Sequence, residues 1–240
     1  MLKKFQPLKL DVYIRECGIC SRRKAYDLIS EKRVTINGKL ANHSSKLNID
    51  EDAVRIDKEL IQLKQVLPIY IAYHKPKGII CTSEKIEGNI IDAVNHSEKI
   101  IPVGRLDKNS EGLILLTNQA ALVDKIANAS QNHEKEYLVT LNLPIRKQFL
   151  EDIRKGVDLM GETTKPCKAE LETNTKRVMR ITLTQGMNRQ IRRMCGMYKY
   201  QVIKLQRVRV MNILLGNLKL GEWRELEASE VNNLLEQVSN

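Results

Sequence analysis

The stretch GRLDKNSEGLILLTN occupies residues 104–118 and joins a charged turn to an apolar strand. Its continuous apolar run at 113–116 is typical of a buried strand. Loops that a rigid strand positions commonly carry functional residues. Asp107 lies between Arg105 and Lys108, which favours its ionised carboxylate, a group that can act as a nucleophile or a base. On composition alone, a charged surface turn is the alternative interpretation.

Further predicted strands and helices surround this stretch in a mixed order. Apolar runs and alternations predict strands at 69–73, 79–81, 112–116, 137–141, 178–183 and 202–210. Helical periodicity predicts helices at 120–129, 146–155, 188–197 and 228–238. Because strands and helices do not alternate regularly, we expect an α+β fold with a largely antiparallel mixed sheet.

The beginning of the chain has its own pattern of short elements. A helix is predicted from Leu10 to a stop at Gly18, and Ser21 suits the N-cap of a second helix. Asn37-Gly38 supplies the positive φ angles of a tight β-hairpin turn. Two helices followed by short strands predict a compact α+β module.

The composition of residues 62–68, QLKQVLP, is typical of a linker that ends in proline. A length of 240 residues suits one or two domains, because domains commonly contain about 100–150 residues. We therefore predict a small N-terminal module at residues 1–64 and a second domain at residues 68–240.

The chain carries 40 Lys and Arg against 29 Asp and Glu, a net charge of +11. A basic surplus favours a polyanionic partner such as nucleic acid or an anionic membrane. The basic residues are unevenly distributed, since residues 173–221 contain eleven of them and no acidic residue. Residues 1–46 contain eleven basic and four acidic residues. These two segments are the expected contacts with a polyanion.

Composition excludes several classes of protein. A hydrophobic fraction of 42% is enough to build a core, which excludes wholesale disorder. No apolar run approaches the ~20 residues that cross a bilayer, and the N-terminus lacks the apolar segment of a secretory signal. We therefore expect a cytoplasmic protein. Five scattered cysteines, an odd number, argue against a disulfide framework.

Basic side chains cluster in two predicted helical segments. Near the start of the second helix, cations and exposed backbone N–H groups together suit phosphate. The residues of this group are Arg22, Arg23, Lys24, Lys32 and Arg33. In NRQIRRM at 188–194, one arginine can pair with a buried carboxylate while the others meet phosphates. An ordinary solvated helix face is the alternative in both segments.

Two further candidates have a strong structural alternative. Cys17 and Cys20 have the spacing of a redox pair or half a zinc site, but no second such pair and no suitably spaced histidine accompanies them. We expect both cysteines to be buried as small hydrophobic residues. Tyr137 lies in a predicted strand, where a tyrosine is more often a core residue than a catalytic one.

Three motifs, in this order, resemble those of the RsuA-type RNA pseudouridine synthases. They are GRLDKNSEGLILLTN at 104–118, KEYLVT at 135–140 and NRQIRRM at 188–194. The first 60 residues are similar to the small alpha-L RNA-binding domain, of ribosomal protein S-four type, that precedes the catalytic domain in this family. The resemblance covers nearly the whole chain, and it is strongest to synthases that act on the large ribosomal subunit.

The resemblance implies isomerisation of a chosen uridine in folded RNA to pseudouridine, without a metal or an organic cofactor. It assigns the essential aspartate to Asp107, the tyrosine that packs on the target base to Tyr137, and the arginine that pairs with the aspartate to Arg192. Arg105 matches the arginine that helps hold the base extruded. The remaining expected RNA contacts are the N-terminal basic group and Arg189, Gln190 and Arg193.

The expected substrate is a uridine of 23S ribosomal RNA, and the expected state is a monomer. Another ribosomal site or a transfer RNA is the alternative substrate, and a non-catalytic RNA-binding factor in ribosome assembly is the rival class. A glycosidase is disfavoured, because no motif positions a second carboxylate. Gln185 stands where many relatives have glutamate, with little expected consequence. The chain ends at Asn240 without the long basic tail of some relatives, so the resemblance does not imply an identical RNA affinity or substrate choice.

Overall fold

The structure is a computed structural model, and the residues that it describes are 8–49, 51–62, 67–127 and 132–239. The chain divides into two compact units, residues 1–67 and residues 68–240. Most of the predicted linker, at residues 63–66, lies outside the described residues. Each unit has its own hydrophobic core.

The described part of the N-terminal unit is built from short helices and strands. They are β1 Leu8–Lys9, α1 Leu10–Glu16, α2 Arg22–Ser30, β2 Val34–Ile36, β3 Lys39–Leu40, β4 Lys46–Leu47, β5 Val54–Ile56 and β6 Glu59–Ile61. Strands β3, β2, β5 and β6 form an antiparallel sheet in that order, and β1 pairs with β4. The predicted compact α+β module is therefore confirmed.

Local sequence explains where these elements begin and end. Ser21 Oγ accepts a hydrogen bond from the Lys24 N–H at 3.3 Å and caps α2, as predicted. Gly18 follows the end of α1 with a φ of 74°, as a helix stop requires. Asn37 and Gly38 have φ angles of 50° and 80°, and they form the predicted tight turn between β2 and β3.

The core of the N-terminal unit joins its two helices to its sheet. Its most buried residues are Leu10, Tyr13, Ile14, Ala25, Ile29, Val34, Leu47 and Val54. Cys17 is buried in this core, as predicted, whereas Cys20 is only partly buried and packs against it.

The C-terminal unit is built on one large sheet. Its elements are β7 Tyr70–Lys75, α3 Ile90–Val94, β8 Ile101–Val103, β9 Glu111–Thr117, α4 Ala120–Ala127, β10 Lys135–Leu141, α5 Lys147–Lys155, β11 Lys168–Leu171, β12 Val178–Leu183, α6 Gln190–Met197, β13 Val202–Val210, β14 Ile213–Leu214, β15 Trp223–Glu225 and α7 Ala228–Gln237. The strand order is β11-β12-β10-β13-β9-β7-β15, with β14 on β13 and β8 on β9. Only β9 and β13 pair in parallel among the described strands, which confirms the predicted mixed, largely antiparallel sheet.

This sheet consists of two half-sheets that meet where β9 pairs with β13. We call β10, β11, β12 and β13 the first half-sheet, and β7, β8, β9 and β15 the second. Two residue pairs join them in register, Gln206 with Glu111 and Arg207 with Gly112. Gly112 has a φ of 115°, and a Cβ atom there would lie 2.3 Å from the Arg207 carbonyl oxygen and 2.4 Å from the Arg207 nitrogen. Only glycine fits at this junction.

Helices cover both faces of the second half-sheet. Alternate residues of a strand face opposite sides, so β7 and β9 contribute to two cores. Ile71, Tyr73 and Ile114 pack in the core that contains α3. Ala72 and Leu113 pack in the core that contains α4 and α7. The second half-sheet is therefore a rigid central layer.

The first half-sheet has a third core, which α5 and α6 cover. Its helical residues are Phe149, Leu150, Ile153, Ile191, Met194 and Cys195. They pack on strand residues that include Val139, Ile181 and Leu205. This packing fixes α6, the helix that carries the third motif, against β10 and β13.

Most predicted elements of the C-terminal unit are present with small shifts in their bounds. The predicted strand at 79–81 is wrong, because only Ile80 forms an isolated bridge, with Asn89. The Ile80 N–H donates to the Gly88 carbonyl at 2.8 Å, so this segment folds back on itself as a loop. The end of the predicted helix 120–129 lies outside the described residues. None of the described helices combines the length and the apolar character that crossing a bilayer requires.

Candidate active site

A cleft of about 730 Å³ opens where the two half-sheets meet. It is lined by both half-sheets, by the start of α6 and by the loop at residues 104–110, here called the signature loop. Its lining includes the polar side chains of Cys81, Arg105, Asp107, Lys135, Tyr137, Arg189, Gln190 and Arg207. Ligand clefts commonly have volumes of about 300–1,000 Å³, so this one suits a group the size of a nucleoside.

Hydrogen bonds pin the signature loop to the turn that follows β7. The Leu106 N–H donates to Cys81 Sγ at 3.4 Å, and the Gly78 N–H donates to the Lys108 carbonyl at 2.8 Å. Leu106 is buried and anchors the loop in the core. Burial raises the pKa of the Cys81 thiol, so this group is a protonated packing residue near neutral pH. The half-buried Asp107 is therefore held in place before any ligand binds.

Arg192 reaches the signature loop from α6. Its Nη2 donates to the Asn109 carbonyl at 2.9 Å, and its Nη1 donates to the Val202 carbonyl at 3.1 Å. Burial lowers the pKa of the Arg192 guanidinium, and Asp107 opposes this change, so the two charges interact. Within the described ranges, however, Asp107 has no ion-pair partner, and the direct pair that the resemblance implied is not formed. Arg192 instead donates a hydrogen bond to the backbone of the signature loop.

Arg207 lies in β13 at the junction and is only 2% exposed. Its Nε donates to the Leu113 carbonyl at 2.6 Å, and its Nη1 donates to the Arg105 carbonyl at 3.4 Å. Its Nη2 is buried and has no hydrogen-bond partner among the described residues. Arg207 was not predicted as a site residue from the sequence. The available signal was an arginine at an inward position of the alternating strand VIKLQRVRV.

Tyr137 and Lys135 both reach the cleft from β10. Tyr137 is half-buried and packs against the cores of both half-sheets. Lys135 Nζ donates to the His133 carbonyl at 3.1 Å. Burial, with a further contribution from Arg207, lowers the pKa of Lys135 to about 8. Lys135 was also missed, although its spacing of two residues from Tyr137 places it on the same side of a strand.

The structure separates the other predicted site residues into two groups. Arg105 and Arg189 are exposed and line the cleft. Arg189 has a φ of 50°, a left-handed conformation that costs an arginine roughly 1–2 kcal/mol and is often found at functional sites. Gln190 Oε1 instead accepts from the Met187 N–H at 3.1 Å, and Gln190 is buried. Arg193 Nη2 donates to the Leu159 carbonyl at 2.7 Å, so local structural roles are favoured for both residues over the predicted RNA contacts.

The eleven basic residues of segment 173–221 do not form one contact surface. Three of them pair with glutamates: Arg180, Lys204 and Arg209. Three donate to backbone carbonyls: Arg192, Arg193 and Arg207. The other five have neither an ion pair nor a side-chain hydrogen bond within the described part of the chain: Lys176, Arg177, Arg189, Lys199 and Lys219. Arg189, one of these five, lies at the cleft, and the polyanion contact expected of the whole segment stays a prediction.

The predicted basic group of the N-terminal unit divides in the same way. Arg22 pairs with Asp11 at 2.8 Å, and Arg33 pairs with Glu31 at 3.0 Å and with Asp57. The other three members are exposed and have no ion pair among the described residues: Arg23, Lys24 and Lys32. These three cations are not neutralised by a described partner, and the phosphate contacts predicted for all five residues stay predictions.

This arrangement suits chemistry on an extruded nucleobase. An ordered carboxylate can attack an electrophilic carbon or take a proton, and a tyrosine ring can pack against a planar base. A base inside a stacked helix cannot reach such a cleft, and flipping it out costs a few kcal/mol. Within the described ranges, no three His, Cys, Asp or Glu side chains lie close enough together to hold a metal ion.

Comparisons with known proteins agree with the chemistry that the cleft suits. The RNA pseudouridylate synthase family matches residues 69–196, and the S4 domain matches residues 8–54. The chain is 46% identical over 235 residues to "Dual-specificity RNA pseudouridine synthase RluF" of Escherichia coli strain K12, covering 97% of this chain and 80% of that protein. It is 30% identical over 233 residues to "Ribosomal large subunit pseudouridine synthase B" of Bacillus subtilis strain 168, covering 94% and 95%.

A solved structure described as a pseudouridylate synthase has a TM-score of 0.69 and 29% identity to this chain. The alignment covers 95% of this chain and 99% of that one. The resemblance seen in the three sequence motifs is thereby confirmed for the fold and for the reaction. The chain belongs to the RNA pseudouridylate synthase family, and it is an enzyme that isomerises uridine in RNA.

Proposed function

We propose that this enzyme converts a uridine of 23S ribosomal RNA to pseudouridine. The observation that carries the proposal is the ordered Asp107 at the mouth of a nucleoside-sized cleft, in a chain 46% identical to a dual-specificity RNA pseudouridine synthase. A second relative is named for the large ribosomal subunit. The term dual-specificity makes a transfer RNA the second candidate substrate.

In this proposal the extruded uridine enters between Asp107 and Tyr137. Tyr137 packs on the ring, and Arg105 at the cleft edge helps hold the nucleotide out of its helix. The bond between N1 and C1′ breaks with its electron pair left on the ring, and Asp107 assists at the sugar or on the base. The ring then rejoins C1′ through carbon 5. The proton that leaves carbon 5 balances the one that N1 gains.

The test of Asp107 is its replacement by asparagine. Asp107→Asn removes the charge and keeps the shape, so we expect RNA binding to persist while turnover falls by about 10³-fold or more. Release of tritium from carbon 5 of uracil measures turnover. Asp158→Asn, an exposed change outside the cleft, is the matched control. Retained turnover in Asp107→Asn would contradict the assignment.

We further propose that residues 1–64 dock folded RNA and residues 68–240 carry out the chemistry. The exposed, unpaired Arg23, Lys24 and Lys32 support this division of roles. Replacing all three by glutamate should weaken RNA binding and reduce its salt dependence, while turnover at saturating RNA stays near the wild-type value. Unchanged affinity, measured by filter binding at several salt concentrations, would contradict the docking role.

Mapping pseudouridines in ribosomal and transfer RNA from a deletion strain distinguishes the two substrates. Loss of one 23S position is the expected result, and loss at a transfer RNA position alone would favour the second candidate. We propose that the enzyme acts as a monomer in the cytoplasm, where these RNAs are made. Light scattering of the purified enzyme tests the monomer.

A further inference from the structure

Arg207 has one hydrogen-bond donor, Nη2, without an acceptor among the described residues. Its Nε and Nη1 donate to the Leu113 and Arg105 carbonyls, but the buried Nη2 has no partner. Buried polar atoms are almost always satisfied, so an orphaned guanidinium nitrogen requires an explanation. Because Arg207 also lines the cleft, a ligand in the cleft is the natural acceptor.

The surroundings of Arg207 favour an acceptor with negative charge. Lys135 lies in the same cleft, and burial, with a further contribution from Arg207, lowers its pKa to about 8. The fully buried Lys75 also interacts with Arg207, and its Nζ donates to the Pro76 carbonyl at 2.7 Å and the Ile79 carbonyl at 2.9 Å. None of these three cations forms an ion pair within the described residues, so positive charge is in surplus at Arg207 and Lys135, which line the cleft, and at the buried Lys75 near Arg207.

Asp107 and Glu111 do not cancel this surplus. Glu111 pairs with Lys204 at 2.9 Å, outside the group of three cations. Asp107 interacts with Lys75, but its carboxylate makes no ion pair among the described residues. Like charges held close together carry a cost in stability, and an anion in the site would offset it in addition to the carbonyl groups that already accept from Lys75 and Arg207.

We propose that Arg207 contacts the substrate, and that its Nη2 donates to a carbonyl oxygen of the extruded uracil and stabilises the negative charge on the ring after the N1–C1′ bond breaks. This inference rests on the proposed chemistry of the cleft. The electron pair of the broken bond spreads over the ring nitrogens and carbonyl oxygens, where a preorganised guanidinium is most effective. Lys135 adds a second positive charge on the same side of the cleft.

The experiment compares Arg207→Lys with wild type on two RNAs that differ only at the target, uridine or 5-fluorouridine. Single-turnover rates are measured by chromatography of the digested RNA as loss of the starting nucleoside, because carbon 5 of 5-fluorouridine has no proton to release and its rearranged ring cannot become an ordinary pseudouridine. On uridine the variant should be slower by about 10²-fold, the usual effect of removing one such donor. On 5-fluorouridine the loss should be clearly smaller, because fluorine itself stabilises the ring anion.

Arg209→Lys is the matched control, since Arg209 lies in the same strand but has Glu134 and Glu136 as ion-pair partners. Its two rates should stay within about twofold of wild type. An equal loss on both RNAs in Arg207→Lys would overturn the proposal, because a purely structural arginine affects both substrates alike. A wild-type rate on uridine would overturn it too.

A second measurement keeps the proposal testable if Arg207→Lys does not fold. Wild-type enzyme is given RNAs with 2-thiouridine or 4-thiouridine at the target, because sulfur accepts hydrogen bonds poorly. One of the two should react at least about tenfold more slowly than uridine, and undiminished rates for both would overturn the proposal. Wild-type enzyme that is inactive on the 23S fragment contradicts only the proposed substrate, and the comparison then uses the RNA that reacts.

Discussion

The N-terminal unit and the cleft of the C-terminal unit use arginine in opposite ways. In the N-terminal unit, Arg33 is exposed and pairs with two carboxylates, Asp57 and Glu31. In the cleft, Arg207 is almost fully buried, and its described hydrogen bonds all go to backbone carbonyls. Exposed pairs contribute little to stability, whereas a buried cation depends on every partner it has.

The difference shows that basic residues of similar density in the sequence have different physical roles. Arg192 and Arg207 hold the backbone around Asp107, and each has one buried donor without a partner among the described residues. The surface arginines that are paired are neutralised locally, which leaves a few unpaired neighbours for phosphates. Burial and partners, and not net charge, therefore separate site residues from surface residues.

The largest expected effect is at the junction below the cleft. Gly112→Ala places a Cβ atom 2.3 Å from the Arg207 carbonyl oxygen at a residue with a φ of 115°. Overpacking and backbone strain together should lower the free energy of unfolding by about 3 kcal/mol or more. Urea unfolding followed by the fluorescence of Trp223, the single tryptophan, reports on this unit.

Gly38→Ala, in the N-terminal unit, is the control for Gly112→Ala. Gly38 also has a positive φ, of 80°, but a Cβ atom there would meet nothing within 4 Å. Only backbone strain of about 1 kcal/mol is expected, measured by circular dichroism. Equal losses of unfolding free energy in the two variants would contradict the expected difference between the buried junction and the open turn.

An intermediate effect is expected from Lys135, whose pKa burial lowers to about 8. Between about pH 8 and pH 10, folded Lys135 has lost its proton while the unfolded chain keeps it. Stability from this residue therefore rises with pH, by on the order of 2 kcal/mol. Replacing Lys135 by methionine should remove that rise, as measured by urea unfolding at several pH values.

Wild type and Lys135→Met must be compared at each pH value, because buried thiols act in the opposite direction. Burial raises the pKa of Cys195 to about 12, so unfolding releases its proton at alkaline pH and stability falls. The difference in unfolding free energy between the two proteins isolates Lys135. Parallel curves would show that Lys135 is not desolvated in the cleft.

The smallest expected effect is at Arg33. Arg33→Ala removes exposed ion pairs with Asp57 and Glu31, so the loss of stability should be below that of Gly38→Ala and should vanish at high salt. Thermal unfolding at low and high salt measures it. A loss as large as that of Gly112→Ala would abolish the contrast between surface and cleft arginines.

Local signals in the sequence predicted the N-terminal unit well. The Ser21 cap, the Gly18 stop and the Asn37-Gly38 turn each depend on neighbours in the chain, and each is present. The strand predicted at 79–81 failed because an apolar run cannot specify its pairing partner. The short strand β15 was missed for the same reason, since its pairing with β7 is set by tertiary contacts.

The residues of the candidate site divide in the same way, into those that local sequence identifies and those that only tertiary contacts identify. Asp107 and Tyr137 were selected from motifs, and the structure brings both to one cleft. Arg207 and Lys135 were missed, because their importance comes from burial and from each other across β10 and β13. Gln190 and Arg193 form hydrogen bonds with nearby backbone groups, which a sequence does not show, and their predicted RNA contacts stay predictions.

The β9–β13 junction also sets the time at which this enzyme can first work. Gly112 and Arg207 are far apart in the chain, and pairing of such distant residues is slow because the loop between them must first close. During translation, β13 leaves the ribosome long after the signature loop has been made. Until β13 has been made and has paired with β9, the fold around Asp107 is incomplete. A nascent chain that already carries its complete N-terminal module therefore has no active site.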